Sequence, residues 1–337
     1  VPLVTRKIKE LSGISPATIS DEILLSDEPL VLRGFVKDWP VVKAGLQSAE
    51  EALRYLSGFD KGASVTVTCG DADIRGHVSY APDMSRPNVS RQNMLLETVF
   101  NKFHKHAGDA APPLYYVAST PPEDCLPGLT RDNPLVLGDR QPLESIWIGN
   151  QSRIPAHYDL PDNIACVAVG RRRFTLFPPD QIENLYVGPL DMTPAGQPIS
   201  IVDFYAPDFD RYPKYRAALE AAQTANLKPG DAIFIPSMWW HQVEGLESFN
   251  VLMNYWWRQS PAYMSPPVDA LNHALLTLRD LPPAQKKAWQ HIFNHYVFEN
   301  SEETSAHIPA RSRGVLGPVT DTMARRIRAY LLNRLNR

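Results

Sequence analysis

The sequence predicts a mainly β protein, a sandwich or barrel, with helices flanking it on the N-terminal side and a helical extension at its C-terminal end. Three observations lead there. From residue 154 to residue 257, short apolar and β-branched segments follow one another with turns between them and few helices, the pattern of packed antiparallel sheets rather than of a parallel α/β sheet. The chain carries 31 prolines in 337 residues, many for a helical protein and suited to numerous turns. After Trp257 the apolar spacing changes to a helical period.

The elements read in order. "PLVLRGF" is a short strand between turn residues, closed by Trp39-Pro40. "SAEEALRYLSG" opens on Ser48 as N-cap, has acidic residues in its first turn and places its apolar residues at helical spacing. "ASVTVTCG" alternates and is a strand, and "RQNMLLETVFNKFHKHAG" reads as one amphipathic helix. "PPLYYVAS" and "ESIWIGNQ" are strands either side of a Pro- and Gly-rich loop. "DNIACVAVG", "RRFTLFPP", "ISIVDFY", "DAIFIP" and "FNVLMNYWW" follow as strands, with one short helix before the tight turn "LKPGD". "LPPAQKKAWQHIFNHYVFE" and "VTDTMARRIRAYLLNRLNR" are helical. The expected organisation is an α/β flanking region over 1–110, a β core over 111–260 and a helical region over 261–337.

Bulk properties exclude several functions. A net charge of −3 with 21% charged residues argues against a dominant polyanionic partner, so neither nucleic acid nor an anionic membrane surface is expected. No apolar run approaches the ~18–20 residues that span a bilayer. The N-terminal "VPLVTRKIKELSG" is too charged for a secretory apolar region. Cys69, Cys125 and Cys166 are widely spaced and odd in number, which suits reduced thiols in a cytoplasmic protein.

The candidate chemistry lies in two segments. In an extended strand, side chains two apart share a face, so His157 and Asp159 of "IPAHYDLPDN" present an imidazole and a carboxylate side by side. Alone, such a pair is a weak signal and is more often a hydrogen-bonded strand end. "LKPGDAIFIPSMWWHQVEG" adds His241 in aromatic surroundings, completing a set of two histidines and one carboxylate. That set holds non-haem Fe(II) on one face and leaves the opposite positions open; the ligand types also admit zinc. Open positions suit a chelating 2-oxo acid and dioxygen. Such a co-substrate extends a distal carboxylate inward, and in "GRRRFTLF" Arg172 shares strand parity with Phe174 and Leu176. Arg172 is therefore the inward candidate for a bidentate grip, while Arg171 and Arg173 point the other way. Trp239, Trp240 and Trp256 offer an aromatic wall, and Trp239 and Trp240 serve equally well as core.

Taken in order, "PAHYD", "GRRRFTLFPPDQIENLY", "PDFDRYPKY", "LKPGDAIFIPSMWWHQVEG" and "NVLMNYWW" resemble the JmjC-type, cupin-like 2-oxoglutarate-dependent oxygenases. Within that family the likeness is greatest to the asparaginyl hydroxylase group of factor inhibiting HIF and its bacterial relatives. It spans about residues 110–260 and is looser over the first 100. The resemblance implies a double-stranded β-helix (jelly-roll, cupin-like) core, with Fe(II) held by His157, Asp159 and His241. It implies 2-oxoglutarate as co-substrate, with Tyr115 beside Arg172 at the distal carboxylate and Asn163 and Asn254 near the metal-bound end. Succinate and CO2 would be co-products of a C–H hydroxylation, most readily on an amino-acid side chain of a protein or peptide. A small molecule or modified nucleotide as substrate, or a metal-binding cupin without oxygenase activity, are the other readings. Two residues depart from the pattern: Arg172 stands where the hydroxylase has lysine, and Ile154 where a threonine usually donates to the co-substrate carboxylate. The C-terminal helices resemble a dimerising extension, and Trp289, Ile292, Phe293, Val297 and Phe298 give them an apolar face that suits a homodimer.

Overall fold

The protein is described from a computed structural model, which covers residues 4–194 and 196–336. Strands β1 (Lys9–Ser12) and β2 (Leu30–Arg33) come first, and β3 (Ser64–Gly70) and β4 (Ser90–Leu95) follow the N-terminal helices. The chain then runs through β5 (Leu114–Thr120), β6 (Leu143–Gly149), β7 (Ser152–His157), β8 (Asp162–Val169) and β9 (Arg172–Phe177). It closes with β10 (Gln223–Leu227), β11 (Ala232–Ile235), β12 (Trp240–Gly245) and β13 (Asn250–Trp257). Among the described residues these form a nine-stranded sheet, ordered β1-β2-β11-β8-β13-β6-β5-β3-β4, and a four-stranded sheet, ordered β10-β9-β12-β7.

From β6 onward the chain changes sheet at almost every connection, so β11-β8-β13-β6 of the large sheet faces β10-β9-β12-β7. Two facing four-stranded antiparallel sheets wound in this way are a double-stranded β-helix, or jelly roll. Its interior is filled from both sheets by Ala165, Val167, Phe174, Leu176, Ala225, Leu227, Ile233, Ile235 and Val243. The other face of the large sheet carries Ile164, Cys166, Ala168, Val251, Met253 and Tyr255 against Val41, Val42, Ala52 and Leu56 of the N-terminal helices. Every residue of β8 is consequently buried, and its sequence reads as a continuous apolar run instead of alternating. Residues 1–110 do more than flank this core, since β1 and β2 extend one edge of the large sheet while β3 and β4 extend the other.

Local chemistry accounts for most boundaries. Ser48 accepts the amide of Glu51 and starts the helix Ala49–Ser57 as expected. In "LKPGD", Pro229 and Gly230 occupy the central turn positions, with Gly230 at φ 94° where a Cβ would be strained. The buried Asp231 carboxylate then accepts from the amides of Lys228 and Gly34 and pairs with Arg33 at 2.7 Å, pinning the turn to β2. Three expectations change. "RQNMLLETVFNKFHKHAG" is not one helix, because its buried stripe begins only at Leu96; residues 90–95 are the largely exposed edge strand β4, and the helix is Leu96–Lys105. "ISIVDFY" is not a strand, since only Ser200 bridges to Val187, and its backbone is held instead by isolated bonds such as the Ser200 amide to the Ala156 carbonyl. β10 follows the short helix Tyr215–Ala221 unannounced, its Ala225 and Leu227 facing inward beside β9.

Residues up to Gln259 form one compact unit and Ser260 onward a second. The second unit holds the helices Pro267–Thr277, Pro283–Phe293 and Asp321–Leu335, the last capped by Thr320 on the Met323 amide.

Candidate metal centre

His157 ends β7 and His241 lies near the start of β12, and the two are direct partners across the antiparallel ladder. Their rings stand 4.3 Å apart between centroids. Asp159 lies beyond the end of β7 in the loop to β8, so strand parity with His157 is not what presents it, contrary to the expectation from spacing. The loop is placed from the other side of the site. The Met238 amide donates to the Asp159 carbonyl at 2.9 Å, Ser237 Oγ donates to the Leu160 carbonyl, and the Ser237 amide donates to Asp162. This stapling of the β7–β8 loop to the β11–β12 loop brings Asp159 Oδ2 to 3.6 Å from His241 Nε2. One ligand atom from each of His157, Asp159 and His241 then lies within 4.8 Å of the others.

The imidazoles are oriented for coordination. His157 Nδ1 is 2.9 Å from the Pro155 carbonyl and His241 Nδ1 is 3.0 Å from the Trp239 carbonyl. A carbonyl only accepts, so Nδ1 carries the proton in both rings and Nε2 keeps its lone pair for a metal. Burial, together with the neighbouring His157, pushes His241 down to about 4 against the opposing pull of Asp159. The ring is neutral at neutral pH, the form a metal requires.

The three groups border a cavity of about 730 Å³, counted out to its open mouth. Its walls are mainly apolar, with Ile154, Phe174, Ile235, Val243, Leu252, Trp147 and Trp256 among them. Arg172 also lines it and is only 1% exposed. Burial lowers its pKa, opposed by hydrogen bonding and charge interaction with the adjacent Tyr116 hydroxyl, and among the described residues none of its nitrogens has another partner. A guanidinium in that condition is costly unless an anion joins it. On the opposite face of β9, Arg173 forks onto the buried Glu244 at 2.6 and 2.7 Å, while Arg171 pairs with Glu247.

Asn163 and Asn254 line the same cavity, joined by a 2.9 Å bond from Asn254 Nδ2 to Asn163 Oδ1 that leaves Asn254 Oδ1 without a partner. Tyr115 does not enter it. Its ring lies under Lys102, 4.7 Å from Nζ, on the outer face of the sheet, and the inward residue of the pair is Tyr116. Register decides this: Tyr116 stands opposite Gly149, where a Cβ would come within 2.5 Å of the tyrosine ring. Both alternations of "LYYV" carry one tyrosine and one aliphatic residue, so only the glycine across the ladder distinguishes them. Trp239 and Trp240 belong to the cores on either side of the small sheet, leaving Trp256 as the wall. Thr68, Arg91 and Trp147 also border the cavity, and no local motif marked them.

A family profile for a cupin-like domain matches residues 16–263. The chain belongs to the cupin-like domain family. It is 26% identical over 309 residues to the tRNA wybutosine-synthesizing protein 5 of Mus musculus, covering 82% of this chain and 90% of that protein. Over 130 residues it is 35% identical to the lysine-specific demethylase JMJ31 of Arabidopsis thaliana, which is 38% of this chain and 23% of the demethylase. With the lysine-specific demethylase 8 of Xenopus tropicalis it shares 26% over 246 residues, 70% of this chain and 49% of the other. Cupin-like proteins of this JmjC kind are typically Fe(II)- and 2-oxoglutarate-dependent oxygenases, and the His-Asp-His set is compatible with a metal. A particular closeness to asparaginyl hydroxylases is not what these matches show. Among the described residues no helix is long and apolar enough to cross a membrane.

Proposed function

We propose that the chain is an Fe(II)- and 2-oxoglutarate-dependent dioxygenase that hydroxylates a C–H bond, on an amino-acid side chain of a protein or peptide. The observation that carries this reading is the unpaired, buried Arg172 in the same cavity as the His157–Asp159–His241 set. A cupin that merely held a metal would have no use for a guanidinium there. His157, Asp159 and His241 would hold the iron. Arg172 and Tyr116 would hold the distal carboxylate of 2-oxoglutarate, and Asn163 and Asn254 would flank its metal-bound end. When bound, the iron and the 2-oxo acid supply dioxygen activation, with succinate and CO2 as co-products. The chain's own part is to fix the ligands, exclude water with Phe174, Leu252 and Trp256, and position the target carbon.

The demethylases among the relatives act on lysine by name, which supports a protein substrate. A second reading, a modified nucleotide, is favoured by the near end-to-end match with a tRNA wybutosine-synthesizing protein. The net charge of −3 weighs against a large nucleic-acid footprint. Succinate release from 2-oxoglutarate with Fe(II), lost in His157→Ala and Asp159→Ala, tests the oxygenase. Mass spectrometry of peptide and tRNA pools for a gain of one oxygen then separates the substrates, and oxygen appearing only in tRNA would overturn the protein reading. We also propose that the C-terminal unit pairs two copies of the chain. Trp289 at 42%, Val297 at 59% and Phe298 at 75% exposure leave a large apolar surface open on it. Light scattering that gives a monomer mass would refute this.

A further inference from the structure

Ile154, which stands where the resembling oxygenases usually have a threonine, lines the cavity with an aliphatic side chain, and the structure puts a polar donor beside it. Ile154 packs with Leu114, Tyr116 and Val78, and Trp147 lies against that same cluster. The Trp147 ring is 5.9 Å from Tyr116 and meets Trp256 edge-on at 6.0 Å. Alternation along β6 explains its direction: Ile146 and Ile148 belong to the outer core, so Trp147 faces the cavity. Its Nε1 is buried from water and donates to nothing among the described residues. An indole N–H in that condition forfeits a hydrogen bond that water would supply, a loss a ligand acceptor would reverse. The neighbouring donors are Trp256 Nε1 and the Arg172 nitrogens, beside which the Tyr116 hydroxyl lies, so the acceptor that would answer the indole and the guanidinium together is an anionic group between β5, β6 and β9. We infer that Trp147 is a co-substrate-binding residue whose indole N–H donates to the distal carboxylate of 2-oxoglutarate, standing in for the donor that Ile154 lacks. This rests on the 2-oxoglutarate reading above.

Trp147→Phe keeps an aromatic ring and deletes the donor. Calorimetric titration of 2-oxoglutarate into the Mn(II)-loaded full chain without oxygen should give a dissociation constant about ten- to a hundredfold higher in the variant, the span expected for a hydrogen bond to a charged acceptor. Adding Ile154→Thr to Trp147→Phe should recover most of that loss, which a packing role for the indole would not allow. An unchanged dissociation constant in Trp147→Phe, or no recovery in the double variant, overturns the inference. A second measurement needs no variant protein. In the Zn(II)-loaded wild type, the Trp147 indole proton should move downfield in a proton–nitrogen correlation spectrum on saturation with 2-oxoglutarate; a stationary resonance overturns the inference. If the wild type binds no 2-oxoglutarate, the co-substrate reading itself falls, and the inference with it.

Discussion

Arg172→Met is the substitution with the most to say, because it should act in opposite directions on stability and on binding. Without ligand, the wild-type guanidinium is 1% exposed and, the Tyr116 hydroxyl apart, has no hydrogen-bonded partner among the described residues. A buried ion left unpaired carries a penalty of several kcal/mol, partly relieved here by the Tyr116 hydroxyl. Methionine is long enough to fill the same space beside Phe174 and Leu252 and brings no charge. The ligand-free variant should therefore be more stable by about 1–3 kcal/mol, and at about 2 °C per kcal/mol for a unit of this size its Tm should rise by a few degrees. Binding should go the other way. Truncating one partner of a desolvated charge pair costs about 2–5 kcal/mol, a loss of 2-oxoglutarate affinity of about thirtyfold or more. The assay is thermal unfolding with and without 2-oxoglutarate in the presence of Mn(II). At a hundred times its Kd the ligand adds about 2.7 kcal/mol to the wild type, and at that concentration should add far less to the variant. A variant that melts below the ligand-free wild type would show that the guanidinium is satisfied within the protein, and unchanged affinity would remove it from the site.

The remaining predictions separate neighbours. Tyr116→Phe should weaken 2-oxoglutarate binding about tenfold, while Tyr115→Phe, on the outer face, should leave it unchanged; titration calorimetry of both decides which tyrosine serves the cavity. Gly149→Ala should displace the Tyr116 ring, which a Cβ would approach to 2.5 Å, lowering stability by about 1–3 kcal/mol and 2-oxoglutarate affinity together, as read by urea unfolding and titration. Asp231→Ala should destabilise the unit by about 3 kcal/mol in urea unfolding. That is the low end for a broken buried pair, because Arg33 is partly in water and keeps Glu10.

Much of the site was legible because it depends on strand parity. Arg172, Phe174 and Leu176 share a face in any strand that contains them, and β9 obeys. His241 could be placed from its aromatic and apolar flanks, since those residues fill the cores beside it. Asp159 reached the site by a route the sequence could not display: a loop held by the Met238 amide and Ser237 side chain, seventy-odd residues away along the chain. Tyr115 and Tyr116 could not be told apart because their choice depends on Gly149, and the pairing of β5 with β6 is a tertiary fact. β4 was hidden because an edge strand with polar side chains lacks the apolar alternation that reveals half-buried strands. β10 was hidden because it follows a helix with only a single residue between them.

The jelly roll also sets the length of ligand the cavity can take. In the ladder between β9 and β12, His241 is opposite Leu176 and Gly245 is opposite Arg172. Four residues of strand therefore separate the level of the candidate ligand His241 from that of the guanidinium's backbone, about 13 Å at ~3.3 Å per residue. The long Arg172 side chain and the metal's own coordination distance both take up part of that separation. What is left suits a short chain with an acid at each end. The same ladder places Arg173 one residue along, on the outer face, where it is neutralised by Glu244. Two adjacent arginines thus meet opposite surroundings by parity alone, one matched by Glu244 and the other facing the cavity without a carboxylate. A cation paired by the protein would serve stability, whereas one buried in the cavity that His157, Asp159 and His241 border is what the proposed 2-oxoglutarate site would require.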